Sequence, residues 1–174
     1  MKTRKINDEV LYSSDDILFV GAADIANLKS IADKNARKRI RLCAHPDEGN
    51  SLHEMLIALD GENYIRPHRH LAKSESFHVI EGIATVLIFD DAGTPVKRIK
   101  LGPYSSGLPF YFRLDQAVFH SVIVESDVFI FHETTNGPFN RADTEFAPWS
   151  PGESDVSKGI FFLRNSLQKI GGII

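Results

Sequence analysis

The stretch Gly61-Glu-Asn-Tyr64-Ile-Arg66-Pro-His68-Arg-His70-Leu-Ala-Lys-Ser-Glu75-Ser-Phe-His-Val-Ile-Glu-Gly82 decides how the rest of this chain is read. His68 and His70 are one residue apart, so on a β-strand both imidazoles project from the same face. Leu71-Ala-Lys-Ser74 is long enough for a turn that returns a carboxylate, Glu75, against them. Glycines frame the run at 61 and 82, and a remote histidine, His120, lies in a second apolar strand pattern. Three imidazoles and a carboxylate suit one divalent transition metal ion such as Fe, Mn, Ni, Co or Zn. Such a set around a dication leaves a net charge of about +1, and a six-coordinate ion would keep two positions for another molecule. A closed structural zinc site would favour thiolates, and the chain has a single cysteine, Cys43.

Outward from this stretch the apolar pattern stays short and alternating for about a hundred residues. Strands are expected at His53–Leu59, Asn63–His70, Glu75–Glu81, Ile83–Phe89, Val96–Leu101, Phe110–Leu114, Phe119–Glu125 and Val128–Glu133. Turn signals separate them: Asp60-Gly61, Asp90-Asp-Ala-Gly93, Gly102-Pro103, Gly107 with Pro109, and Gly137-Pro138. Strands of this kind with no helix between them predict a mainly β, antiparallel sandwich or barrel. Ahead of them, Ile25, Leu28, Ile31 and Ala32 recur at helical spacing, which predicts an amphipathic helix from Ala22 to about Lys38. Short strands are expected up to Tyr12 and at Ile17–Val20. At the far end, Ile160-Phe-Phe-Leu163 with Leu167 and Ile170 fits a short helix or a closing strand.

Composition narrows the function. The 174 residues, 43% of them apolar, suit one domain with a sizeable core, and the net charge of −3 favours neither nucleic acid nor an anionic membrane as partner. The basic run Arg37-Lys-Arg39-Ile-Arg41 reads as a solvated helix end, with phosphate binding as the alternative. A lone cysteine, no signal core behind the basic N-terminus and no apolar run long enough for a membrane helix lead to the expectation of a cytoplasmic protein.

Tyr64 and Arg66 share the parity of His68 and His70, so both are expected on the metal-facing side, with Arg66 placed to bind an anionic group of the substrate. Arg41, Cys43 and His45 share one face of another strand, read as the wet face of a sheet edge, with a second polar rim as the alternative. His53, His78 and His132 are read as packing residues, and Phe110, Tyr111, Phe112, Phe129 and Phe131 as core.

The pattern Gly61-x6-His68-x-His70-x4-Glu75-x6-Gly82 resembles the first cupin motif, with one extra residue before the first histidine. His120 corresponds to the histidine of the second motif, although Asp115 and Ala117 replace its proline and glycine. With the flanking blocks Arg41-x-Cys-x-His45, Tyr64-Ile-Arg-Pro-His-Arg-His70, Lys73-Ser-Glu75, Phe89-Asp-Asp-x-Gly93, Phe119-His120, Gly137-Pro-Phe139 and Trp149-Ser-Pro-Gly-Glu153, residues 25 to 153 resemble the WbuC family of cupin-fold metalloproteins. That resemblance implies a jelly-roll β-barrel over residues 40–153, an N-terminal extension (1–39) packed on it and a C-terminal extension (154–174). It also implies that Glu133 with Gly137-Pro-Phe139 closes the barrel mouth. Metal ligation by His68, His70, Glu75 and His120, catalytic roles for Tyr64 and Arg66, and a link to bacterial surface polysaccharide (O-antigen) are the resulting expectations. The substrate is expected to be a small polar, anionic or sugar-derived molecule. Isomerase- or epimerase-like and dioxygenase-like chemistries both stay open, as does a non-catalytic sugar-binding or sensor module. The apolar tail leads to the expectation of a homodimer.

Overall fold

The computed structural model describes residues 1–170. In chain order the elements are β1 (Thr3–Asn7), β2 (Val10–Ser13), α1 (Ala22–Lys34), β3 (Arg39–Cys43), β4 (Leu52–Asp60), β5 (His68–His70), β6 (Glu75–Glu81), β7 (Ala84–Phe89), β8 (Pro95–Leu101), β9 (Tyr111–Leu114), β10 (Phe119–Val124), β11 (Val128–Asn136), β12 (Thr144–Phe146) and α2 (Val156–Lys169). The strands form two facing sheets, one ordered β1-β2-β3-β4-β11-β6-β9 and the other β12-β5-β10-β7-β8. All pairings are antiparallel except β2 with β3. This is the expected mainly β jelly-roll arrangement, built from two sheets rather than one closed hydrogen-bonded barrel.

Period-2 patterning sets what each sheet presents. On the large sheet Leu59, Phe77, Val79, Phe129 and Phe131 point inward and meet Ala84, Val86 and Val122 of the other sheet. Each large apolar side chain buried this way contributes about 1.5–3 kcal/mol relative to exposure. The outward residues Ile40, Leu42, Ala58 and Ile130 are covered by Leu28 and Ala32 of α1. Helix α1 begins at Gly21, whose N–H donates to the Asp24 carboxylate at 3.0 Å. It stops at Lys34, short of the expected Lys38. There the Asn35 side chain donates to the Asp8 and Arg39 carbonyls at 2.6 and 2.8 Å and turns the chain into β3.

Several expectations are corrected. Ile17–Val20 forms no strand: Ile17 and Phe19 are 81% and 80% exposed, and only Val20 reaches the packing under α1. Strand β5 begins at His68, not Asn63. Pro67 has no N–H to offer a ladder, and Ala147 N–H closes on the Pro67 carbonyl instead. Tyr111 and Phe110 are exposed because β9 is a sheet edge. The tail forms helix α2, which lays Leu163, Ile160, Phe162 and Leu167 over Leu87, Phe89 and Phe119 on the outer face of the small sheet. Of its apolar run only Phe161, 68% exposed, faces away, so the tail mostly covers its own protein. Residues 171–174 of the expected C-terminal extension lie outside the described residues.

Candidate metal centre and its cavity

His120 on β10 is paired directly with His68 on β5, and His70 follows on the same face, so the small sheet places three imidazoles together. One ring nitrogen from each lies within 4.8 Å of the others. Glu75 opens β6 on the facing sheet and completes the group from the opposite side: its carboxylate is 2.9 Å from His120 Nε2 and 3.4 Å from His70 Nε2. The four residues expected from the sequence are therefore brought together across the two sheets.

The other ring nitrogens are already engaged. His68 Nδ1 lies 2.9 Å from the Arg66 carbonyl and His120 Nδ1 lies 3.0 Å from the Val118 carbonyl. A carbonyl only accepts, so each Nδ1 carries the proton and each Nε2 offers a lone pair. His70 Nδ1 is set by the Thr144 hydroxyl at 3.2 Å. Both His120 Nε2 and Glu75 Oε1 are buried, and despite their 2.9 Å approach neither makes an aligned hydrogen bond. Two donors at right angles on one ion, each at about 2.1 Å, lie about 3 Å apart. The pair has that separation.

Electrostatics follow from burial and mutual contact. Burial, with His120 next to it, presses the His68 pKa down to about 3, so this ring is neutral. Burial pushes Glu75 up, but the charge and contacts of His120 and His70 outweigh it and hold the carboxyl below its usual range. For His120 burial works downward and is overcome by Glu75, so its pKa is raised.

A cavity of about 600 Å³ extends from this cluster across the inner face of the large sheet. Arg66 lines it, with Nε donating to Ser150 Oγ at 3.0 Å, one terminal nitrogen to the Ala147 carbonyl at 2.9 Å, and its plane over Phe146. Tyr64 does not line it. The phenol is 5% exposed, packs under α2 against Gly159 and donates to the Pro151 carbonyl at 2.9 Å. Burial pushes its pKa up to about 12. The irregular chain before Pro67 breaks the parity that would have aligned Tyr64 with the histidines.

Arg41, Cys43 and His45 line the cavity as well, since β3 lies between β2 and β4 and is no sheet edge. His53 joins them, its ring stacked on His45 at 4.1 Å, whereas His132 faces Glu54 and His78 packs on Phe110. Glu133 projects into the cavity wall. Burial and the nearby Glu75 push its pKa up to about 8, against the pull of Arg41. Sequence reasoning reached Glu133 only through the family pattern and took His53 for packing. The alternation His53, Met55, Ile57, Leu59 on β4 was the signal that would have turned His53 inward.

Residues 20–101 match a family model described as a domain of unknown function, DUF6016. That span carries His68, His70 and Glu75 and ends before His120. No curated protein matches the chain. Among solved structures, it is similar to a Shewanella oneidensis protein at 14% identity and a TM-score of 0.49, covering 67% of this chain and 78% of that one. A Klebsiella pneumoniae protein with a double-stranded β-helix domain is 15% identical, with a TM-score of 0.48 over 63% of this chain and 79% of its own. Bacillus subtilis oxalate decarboxylase, which has Mn(II) centres, is 15% identical with a TM-score of 0.45; the match covers 56% of this chain and 24% of that one. The architecture stands on this chain's own strand order, and no helix among the described residues is long and apolar enough to cross a membrane.

Proposed function

We propose that this chain is a cupin-type metalloprotein that holds one divalent transition metal ion through His68, His70, Glu75 and His120 and uses it on a small polar molecule in the adjoining cavity. The observation that carries this reading is the set of three imidazoles whose Nδ1 atoms are already bonded to oxygen, leaving Nε2 atoms beside a buried carboxylate. When bound, the ion would supply Lewis-acid polarisation or a redox centre. The protein's own part is to hold the ligands without thiols and to keep the His120 Nε2 lone pair and the Glu75 carboxylate facing one point.

The cavity's size suits a small organic molecule. Glu133 lines the same cavity, and a carboxyl there is the group that a catalytic reading would use to give or take a proton. Within that reading, the WbuC resemblance makes the substrate a sugar-derived molecule of bacterial surface polysaccharide.

The test is metal content followed by turnover. Protein purified and supplemented with Mn, Fe, Co, Ni or Zn should retain about one ion per chain, and the His68→Ala/His70→Ala double variant should retain none. Well-folded, supplemented parent protein without an ion sinks the proposal. Incubation of the loaded protein with nucleotide sugars should give product. Tight binding without any conversion would instead make it a sugar-binding or sensor module.

A further inference from the structure

At the end of the cavity away from the histidine cluster, three arginines follow one another at alternate positions, and two of them are neutralised. Arg37 grips Glu9 through Nε and one terminal nitrogen, both at 2.6 Å, and reaches Glu153 at 3.2 Å. Arg39 donates to Glu9 at 2.9 Å and approaches Glu153 at 3.8 Å. Arg41, the next in the series, lines the cavity and makes no ion pair or side-chain hydrogen bond among the described residues. Arg66, which also lines the cavity, donates through Nε to Ser150 and through one terminal nitrogen to the Ala147 carbonyl. Arg41 therefore has its whole guanidinium fork free among the described residues.

Its surroundings on the cavity wall are rings. Tyr12 meets the His45 ring edge-on at 5.3 Å, and His45 stacks on His53 with the rings 4° from parallel. His45 Nδ1 is fixed against the Glu54 backbone, while His53 Nε2 is buried in the wall with no partner. Of the acids on this side of the cavity, Glu133 lines it from β11 and Glu48 sits on an exposed loop. A buried ring nitrogen without a partner is costly, and a guanidinium facing the same cavity matches the two oxygens of a carboxylate or phosphate.

Strand register gives the span. His53 pairs with Thr135 and Thr135 with Glu75, so His53 stands level with Glu75 two strands away. At about 4.8 Å per strand His53 and Glu75 are on the order of 10 Å apart, and Arg41, paired with Ile57 on the next strand, lies farther still. A molecule that touches both ends is larger than a bare two-carbon acid and fits a cavity of about 600 Å³.

We propose that Arg41, with Tyr12, His45 and His53, forms an oxyanion subsite for the carboxylate or phosphate of a small organic molecule whose far end reaches the histidine cluster. The inference rests on the metal-site reading for the far end only.

The test measures binding of glucose 6-phosphate, galacturonate and neutral glucose by calorimetry to the metal-loaded protein and to Arg41→Met, Arg41→Lys and Arg39→Met, with metal content determined on each. At least one anionic probe should bind more tightly than glucose, and the arm that does so tells phosphate from carboxylate. Arg41→Met should keep the ion and weaken that probe about tenfold to a hundredfold, the loss of a charge-assisted hydrogen bond. Arg41→Lys should fall between the two, since it keeps the charge and loses the fork. Arg39→Met, whose charge is already paired, should bind like the parent. Equal weakening by Arg39→Met, equal binding by Arg41→Met and parent, or no preference for either anion over glucose overturns the subsite. Absence of the ion from the parent overturns the metal reading separately, and the Arg41 comparison still stands on the metal-free chain.

Discussion

The two ends of the cavity are held in different ways. At the histidine cluster the side chains lean on backbone: His68 and His120 each bond the carbonyl two residues earlier, and Glu75 meets them from the opposite sheet. At the Arg41 end the side chains lean on one another, through the His45–His53 stack and the edge contact with Tyr12, and Arg41 itself makes no ion pair or side-chain hydrogen bond among the described residues. Backbone-fixed rings are pre-organised for a single geometry, as a metal ion requires. Rings packed on rings, next to a guanidinium without a fixed counter-ion among the described residues, depend on one another rather than on the backbone. The cavity thus joins a rigid end to one held by side chains alone.

The sharpest way to break this contrast is to remove one ring from each end. His120→Ala should abolish metal retention and, in the metal-free protein, cost about 3–5 kcal/mol in urea unfolding, because Glu75 is left buried beside a missing partner. His45→Ala should leave metal content at the parent level. A His45→Ala protein that loses its ion would show that the two ends are one unit.

A comparable loss of stability should come from the floor beneath both ends. Phe129 is fully buried between the sheets and packs on Phe131 at 5.1 Å. Phe129→Ala should lower unfolding free energy by about 3–5 kcal/mol through lost burial and the cavity left behind. The rigid end depends on fixed spacing between β6 and β10, so metal affinity should fall further than anion affinity.

Acid should separate the ends as well. Protonated imidazole cannot ligate, so metal retention should weaken as pH falls through about 6. His120, whose pKa Glu75 raises, takes up its proton first. Anion binding at the far end does not depend on those imidazoles. Equilibrium dialysis from pH 8 to 5 should therefore show falling metal occupancy while the Arg41-dependent part of anion binding is retained.

How much of this was legible in the sequence follows the same division. His68, His70 and Glu75 lie within eight residues, and a strand's period of 2 with one turn suffices to bring them together. His120 needed only its place on another inward strand pattern. The Arg41 end is assembled from β2, β3 and β4, and it depends on β2 pairing in parallel with β3, a contact that no local pattern announces. Had β3 been a sheet edge, Arg41, Cys43 and His45 would have faced water as expected. Tyr64 was misplaced because parity holds only along a strand, and Pro67 starts β5 too late for the rule to reach back.

The smallest expected effect tests whether pairing by Glu9 is what sets Arg41 apart. Glu9 binds both Arg37 and Arg39; burial pushes its pKa up, but the two guanidiniums outweigh that and hold it below the usual carboxylate range. Glu9→Gln should cost about 0.5–1 kcal/mol near neutral pH, in keeping with a partly exposed network of ion pairs. The sign follows from the lowered pKa: the contribution is present above the unfolded carboxyl pKa of about 4.3 and is lost as pH falls through the folded value, so parent and variant should converge in strong acid. With two cations released beside Arg41, anion affinity should rise by a few-fold at low salt and return to the parent value as salt screens them. Metal content should not change, because the ligands lie at the far end of the cavity. If Glu9→Gln leaves anion affinity untouched at low ionic strength, the charges of Arg37 and Arg39 do not reach the Arg41 end, and their pairing is a feature of stability alone.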